Sequence, residues 1–369
     1  MNKPKRLLAL DVFRGLTICL MIIVNNPGSW EFVYAPLRHS KWHGCTPTDL
    51  VFPFFMFIVG SAMWYSFKKF NHSLSKGIAI KILRRTVVIF IIGLALNAYA
   101  AYSIEWSSLR IMGVLQRIAL AYGIASFIVL VMPSRYVAIL IGVILIGYWA
   151  ILVFFGGDMP FSLEGNFVSQ FDIFLLGEGH IPVFSGVKFD QTGLLSTLPS
   201  IGNVLFGYLA GRLIDQTESK ASAVKRLIIF GIAGVIVARL WGLVLPINKP
   251  LWTSSFVVYT SALAMVLLGV MLWIIDIQGY KRWTLPFQVF GMNPLFIYVF
   301  SIVLAITFRI EFIQTESGEL ITMMHWLYSR CFQPLAGNRL GSLFYALSMT
   351  LVSWFLGWIL FKRRIFIKI

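Results

Sequence analysis

Charge is what this chain of 369 residues has least of. Aspartate, glutamate, lysine and arginine make up 12% of it, against 58% hydrophobic residues. A soluble domain carries roughly 25% charged residues, so half the usual charge is on hand to cover the surface. Water cannot solvate such a surface, and lipid can. Cysteine is scarce as well: Cys19, Cys45 and Cys331 are too few for a disulfide framework. In the topology below, Cys45 and Cys331 fall on one side, which leaves open one bridge or two free thiols. No soluble catalytic domain and no low-complexity linker breaks the pattern. The lack of an internal repeat weighs against the inverted-repeat transporter folds. The first apolar run has no small-residue cleavage site and carries charge, so it is expected to stay as the first helix.

What the sequence has is long apolar runs. Segments near 7–26, 48–67, 82–101, 110–132, 136–155, 193–214, 225–245, 253–275, 285–308 and 341–361 each approach the roughly 20 residues a bilayer core requires. The expected fold class is an all-α integral membrane protein, a bundle of about ten spans in a single domain over 1–369. Outer loops 27–47, 156–192 and 309–340 are expected to act as lids. Within the last, "LITMMHWLYSRCF" at 320–332 reads as a short amphipathic helix on the membrane face.

The net charge of +16 would point to nucleic acid in a soluble protein, but here the basic residues sort by side. With the N-terminus in the cytoplasm, Lys3, Lys5, Arg6, Lys68, Lys69, Lys76, Lys81, Arg84 and Arg85 fall inside. Arg135, Arg212, Lys220, Lys225, Arg226, Lys281, Arg282, Lys362, Arg363, Arg364 and Lys368 follow, with Asp215, Glu218 and Asp276 as the acids there. The outer loop 156–192 instead gathers Asp158, Glu164, Asp172, Glu178 and Asp190. This is the positive-inside pattern; it places both termini in the cytoplasm and makes nucleic acid an unexpected partner.

Ionisable groups within a bilayer are costly and are functional candidates for that reason. Asp11 and Arg14 share a face of the first span, either as a structural ion pair or as part of a site. Arg117 is expected two helical turns, about 10 Å, deeper than Arg110. It needs a salt bridge, to Asp11 or Asp49, or an anionic group from a substrate. Arg239 lies near the outer end of its helix, within reach of water. The outer stretch "NNPGSWEFVYAPLRHSKWHGCTPTDLVFPFF" holds His39, His43 and Asp49, with Thr46 or Thr48 placed to cap the second span. His39 and His43 have the spacing of a helical metal pair, but no further ligand completes a set, so no metal is expected. Imidazole suits proton transfer near neutral pH; interface anchoring is the plainer alternative.

The run "LDVFRGLTICLMIIVNNPGSW" followed by "LRHSKWHGCTPTDLVFPFFMFIVG" resembles the heparan-alpha-glucosaminide N-acetyltransferase family of transmembrane acyltransferases. "LRIMGVLQRIALAY", "PINKPLWTSSFVVYTSALA" and "GMNPLFIYVFS" match as well. The resemblance implies a membrane enzyme that moves an acetyl group from cytoplasmic acetyl-CoA to an amino sugar, or the terminal glucosamine of an oligosaccharide, on the far side. The family's catalytic histidine falls on His39 and its asparagine on Asn25, with a spacer longer than in the animal enzymes. His39 is then the expected general base and Asn25 the expected oxyanion donor. Asp49, His43, Trp42, Trp30 and Trp252 are candidates for holding the sugar, and Arg14, Arg117, Arg110 and Asn293 for holding acetyl-CoA. Acyl transfer to another surface glycan or a peptidoglycan fragment, or sugar transport without catalysis, are the alternatives; a homodimer is left open. The one Asn-x-Ser/Thr sequon, at Asn71, falls on the cytoplasmic side, which favours a bacterial inner membrane with the outer loops facing the periplasm.

Overall fold

In hydrocarbon every backbone N–H and C=O must be satisfied within the chain, and uninterrupted apolar runs meet that demand as helices. The computed structural model describes residues 7–101, 105–314 and 318–367; Lys3, Lys5, Arg6 and Lys368 lie outside them. The helices are α1 (Leu8–Asn25), α2 (Pro47–Lys68), α3 (Lys76–Ala100), α4 (Val114–Val131), α5 (Ser134–Phe155), α6 (Phe167–Leu176) and α7 (Thr197–Gln216). They continue as α8 (Lys220–Trp241), α9 (Ser254–Met271), α10 (Leu285–Met292), α11 (Pro294–Phe308), α12 (Met323–Leu327) and α13 (Gln333–Lys362). Two antiparallel hairpins join helices: β1 (Val183–Phe184) with β2 (Val187–Lys188), and β3 (Glu311–Gln314) with β4 (Leu320–Thr322).

Among the described residues, 7 helices are long and apolar enough to cross a membrane, or 8 if the pair α10 and α11, bent by 77°, counts as one span. Of the other segments expected to span, α3 and α7 have 25 and 20 residues. Lys76, Lys81, Arg84 and Arg85 dilute the first, and Asn203, Arg212 and Asp215 the second. The bend falls at Asn293, whose successor Pro294 bars it from helical geometry and leaves it at φ −129°, ψ 53°. The stretch 320–332 is not one amphipathic helix. It opens as strand β4, turns into the short α12 and passes through a π-helical turn, Tyr328–Phe332, before α13. Among the described residues, no disulfide joins Cys19, Cys45 and Cys331.

Contacts group the chain into two units, Met1–His39 with Thr46–Phe52 and Tyr280–Lys368, and Ser40–Cys45 with Pro53–Gly279. In the first, α1 crosses α10 so closely that a Cβ at Gly15 would meet the Phe287 carbonyl, and one at Gly291 the Asp11 carbonyl. Small residues allow such backbone approach between membrane helices. Arg14 caps this crossing, 3.4 Å from Asp11 Oδ1 and donating to the Gly291 carbonyl at 3.3 Å. In the second unit, α7 is central, packing on α4, α5 and α9. The spans differ in exposure: α5 is 28% buried over its apolar window and α2 72%. Ile139, Val143 and Ile146 of α5 and Ile232, Ile236 and Leu240 of α8 therefore present an apolar face outward, as lipid requires.

Candidate active site

The loop between α1 and α2 is tied at close intervals to itself. Asn26 ends α1, its side chain donating to the Ile22 carbonyl at 2.8 Å. Arg38 donates through Nε to the Val33 carbonyl at 2.8 Å and through Nη2 to the Glu31 carbonyl at 2.7 Å. Thr48 donates to the Pro36 carbonyl, and the Thr46 hydroxyl lies 2.8 Å from the Arg38 carbonyl. These bonds fix the backbone on both sides of His39.

α2 begins at Pro47, a residue suited to the first helical position, so Asp49 is the third. From there its Oδ2 reaches back to the Thr46 N–H and hydroxyl, each at 3.0 Å. This is the return arm of a capping box. Its other oxygen, Oδ1, lies 2.6 Å from His39 Nδ1. The Asp49 side chain is 1% exposed and that of His39 44%. Both oxygens serve as acceptors, so Nδ1 carries the proton of that bond and the imidazole lone pair resides on Nε2. A buried, doubly anchored carboxylate behind a half-exposed imidazole is the arrangement of an oriented base. Asn25, the last residue of α1, is exposed, and its carbonyl accepts from Arg309 Nη2 at 3.1 Å. Trp30 is 55% exposed.

In the second unit, His43 is held by Asn248. Asn248 Oδ1 accepts from the Leu251 N–H at 2.7 Å, so its amide nitrogen faces the other way, 3.1 Å from the Trp42 carbonyl and 3.3 Å from His43 Nδ1. An amide N–H can only donate; His43 Nδ1 is thus the acceptor and Nε2 carries the proton. Partial burial lowers the His43 pKa below the ordinary imidazole value, favouring this neutral form. Trp42 donates to the Phe161 carbonyl at 2.7 Å, its ring edge-on to Phe189.

Arg117 departs from the depth its spacing suggests. Residues 110–113 are not helical: Asn97 donates to the Arg110 and Met112 carbonyls and holds them extended. α4 therefore starts at Val114, and Arg117 sits in its first turn rather than two helical turns beyond Arg110. Its Nη2 donates to the Gly193 carbonyl and to Ser196 Oγ, and its guanidinium lies 4.7 Å from the Trp252 ring centre. Nε and Nη1 are buried with no hydrogen-bond partner among the described residues. Trp252 is buried too, donating to Asn203 Oδ1 at 2.9 Å. Arg110 forms a two-pronged pair with Asp190 at 2.9 and 2.6 Å. Burial works to raise the Asp190 pKa, but Arg110 and Thr192 outweigh it and hold the group below the usual carboxylate range. Asp172 has no such cation bonded to it: desolvation first, then Asp190, pushes its pKa up to about 6, against the Leu195 N–H and Arg117. Its Oδ2 is buried with no hydrogen-bond partner among the described residues. Asn293 clamps the chain's last described residues, donating to the Ile365 carbonyl at 3.0 Å and accepting from the Ile367 N–H at 2.8 Å.

The sequence marks His39 and Asp49 as candidates but does not show their bond; Asn248 and Arg309 are not among those candidates, and Asp172 stands there only as one of the outer-loop acids. Asn248 stood in the quoted "PINKPLW", and its place between two prolines was a signal for a backbone-holding amide. Among the described residues, no cluster of three or more His, Cys, Asp and Glu side chains is placed to hold a metal.

Long apolar helices define a multi-pass helical membrane protein, with an imidazole bonded to a buried carboxylate as its candidate site. Residues 6–237 match the model of the heparan-alpha-glucosaminide N-acetyltransferase catalytic family, and the chain belongs to that family. It is 29% identical over 356 residues to the heparan-alpha-glucosaminide N-acetyltransferase of Homo sapiens, covering 80% of this chain and 52% of the relative. Against the Mus musculus protein of the same name it is 27% identical, covering 81% and 53%. The chain thus spans about half the length of the curated relatives it matches. Asn25, His39 and Asp49 fall inside the family match; Trp252 and Asn293 fall beyond it.

Proposed function

We propose that this protein is a membrane-embedded acetyltransferase that moves the acetyl group of acetyl-CoA to the amino group of a glucosamine-type sugar, with His39 as general base. The observation that carries the reading is the 2.6 Å bond from His39 Nδ1 to Asp49 Oδ1 in a chain of an N-acetyltransferase family. The sugar binds as its ammonium, and one proton leaves to solvent. As the amine nitrogen attacks the thioester carbonyl, His39 Nε2 accepts the second proton. The N–C bond forms, the C–S bond breaks, and the imidazolium returns that proton to the departing thiolate. Direct transfer exposes no hydrolysable intermediate on the protein. Asn25, exposed at the end of α1 with its carbonyl held by Arg309, is assigned as donor to the oxyanion.

Asp49 is assigned to orienting His39 and stabilising its charged form, because both its oxygens are already engaged; holding the sugar falls to other groups. Of the residues put forward for the acyl donor, Arg110 and Asn293 are committed to Asp190 and to the C-terminal tail. Arg117 retains guanidinium nitrogens without a partner, which suits an anionic or carbonyl oxygen. Its place in the first turn of α4 puts it at the outer end of that helix in the proposed sidedness, away from the cytoplasmic side. Arg14 occupies the inner end of α1 and is the residue we assign to the phosphates of acetyl-CoA. The sidedness itself, with termini inside and the His39 loop facing the periplasm of a bacterial inner membrane, rests on the distribution of lysine and arginine.

The test uses purified protein with labelled acetyl-CoA and glucosamine. N-acetylglucosamine is expected from the native chain and none from His39→Ala, with acetyl-CoA binding retained. Sugar uptake into proteoliposomes without acetylation would overturn the reading. Loss of activity in His43→Ala but not in His39→Ala would move the base.

A further inference from the structure

Two histidines of one loop are locked in opposite tautomers. His39 faces a carboxylate and presents a lone pair at Nε2; His43 faces an amide N–H and presents a proton there. That difference gives His43 a function of its own, because a neutral imidazole fixed as a donor suits an acceptor atom, not a proton.

What His43 borders is a cavity of about 500 Å³. His43, Cys45, Arg239, Pro246, Ile247 and Tyr259 line it, and among the described residues no carboxylate does. Arg239, in the last turn of α8, donates one N–H to the Tyr259 hydroxyl at 3.2 Å, and its guanidinium lies 4.9 Å from that ring's centre. The bond turns the tyrosine's own proton away from Arg239. The cavity thus brings together a guanidinium with further N–H groups, a phenol O–H and the His43 N–H. Its remaining wall, around Pro246 and Ile247, is apolar and strengthens electrostatic attraction at its surface. The Gly44 N–H, bonded to the Ile247 carbonyl at 2.7 Å, pins the loop to that wall, so the donors are positioned before any ligand arrives.

We propose that this cavity is an oxyanion subsite, in which Arg239, Tyr259 and the Nε2–H of His43 bind a phosphate, sulfate or carboxylate group. Asn248 is the positioning residue, since it sets which imidazole nitrogen carries the proton. The subsite goes beyond the transfer reaction, and binding measurements alone decide it. Two sources offer the same chemistry: an acidic group on a soluble ligand, and the phosphate of a lipid headgroup at the membrane surface.

The experiment follows the histidine ring nitrogens of the full chain, ¹⁵N-labelled at histidine, first in a phosphate-free maltoside detergent. The His43 signals are assigned by their disappearance in His43→Gln. Nε2 is expected protonated and Nδ1 unprotonated, and inorganic phosphate should shift Nε2 saturably. Arg239→Gln should raise the apparent phosphate Kd about 10–100-fold, the effect of losing a charge-assisted hydrogen bond. His43→Gln, which keeps an N–H near that place, should bind phosphate by calorimetry within a few-fold of the native chain, and His43→Ala should not. Asn248→Asp reverses the acceptor and should move the His43 proton to Nδ1; if that variant does not fold, the Arg239 and His43 variants still decide. Saturation by phosphatidylglycerol nanodiscs, with no further shift on adding phosphate, assigns the subsite to a lipid headgroup. A response to phosphate alone assigns it to a soluble anion. A His43 protonated at Nδ1, or phosphate binding unaffected by Arg239→Gln, would overturn the proposal.

Discussion

Replacing Asp49 by asparagine leaves an oxygen to accept the Thr46 N–H but offers His39 a neutral amide in place of a charge. The imidazole then loses both its tautomer bias and the stabilisation of its protonated form. Acetyl transfer measured in a single turnover should fall by about 10²–10⁴-fold, while the thermal midpoint moves little because the return arm of the capping box survives. Unchanged transfer would mean that Asp49 serves only the helix start. At this scale the sequence was legible in kind and silent on pairing. His39 and His43 stood out together, with only the family resemblance favouring His39, and Asp49 stood out as an acid at a helix start. "TPTD" advertised a cap supplied by threonine oxygen; in the structure the Thr46 and Thr48 hydroxyls donate elsewhere, and the reach runs the other way, from Asp49 back to Thr46. The 2.6 Å bond to His39 was hidden because it depends on the path of the loop, which Arg38 fixes through carbonyls that no side-chain pattern reveals. Asn248 and His43 are further apart still, and only the folded chain shows which nitrogen is protonated.

At the scale of elements, close helix crossings and buried loop acids carry the sharpest expectations. Gly291→Val would drive a Cβ into the Asp11 carbonyl, and such overpacking costs about 1–3 kcal/mol. A thermal unfolding scan in detergent should show the loss. Gly147→Ala is the control: it lies inside α5 with nothing within 4 Å of the added carbon, and a helix gains about 0.5–1 kcal/mol from the exchange. Equal effects would rule out the α1–α10 crossing as drawn. Asp172, in the segment between α5 and α7, gives a pH-dependent expectation. Its folded pKa is raised from 3.8 to about 6, so between those values the folded chain holds a proton that the unfolded chain has released. Acidification through pH 6 towards 3.8 therefore favours the folded state at this position. Asp172→Asn removes that titration. The stability of the native chain relative to the variant should rise as pH falls below 6, and a flat difference would show that Asp172 is solvated. Element boundaries were less readable: 285–308 reads as one run although Pro294 marks the break, because the apolar pattern continues across the bend, and the late start of α4 carries no mark at all. There Asn97, on the preceding helix, overrides the helical pattern of "LRIMGVLQR" by claiming two carbonyls.

The whole molecule was legible through its solvent. Low charge and long apolar runs announced lipid, and the helical bundle follows from the rule that backbone groups in hydrocarbon pair within the chain. The count of spans was less legible, because length alone does not separate α3, studded with basic residues at one end, from its apolar neighbours. Sidedness is the property on which the proposed transfer turns, since that reading sets a thioester in one compartment and an amine in the other and so needs His39 on the far side of α2 from the basic inner loop. Lys41, two residues after His39, and Ser73, between α2 and α3, are both exposed and report on the two ends of α2. In a background with Cys19→Ala, Cys45→Ser and Cys331→Ser, a membrane-impermeant maleimide added to intact spheroplasts should label Lys41→Cys at once. Ser73→Cys should react only after the membrane is opened. Labelling of both from outside would mean that α2 does not cross the bilayer. Labelling of Ser73→Cys alone would invert the chain and leave the imidazole in the compartment where acetyl-CoA is made, with no barrier for the acetyl group to cross. The charge asymmetry is the argument against that inversion, which would place Lys68, Lys69, Lys76, Arg84 and Arg85 on the side that lysine- and arginine-rich loops disfavour.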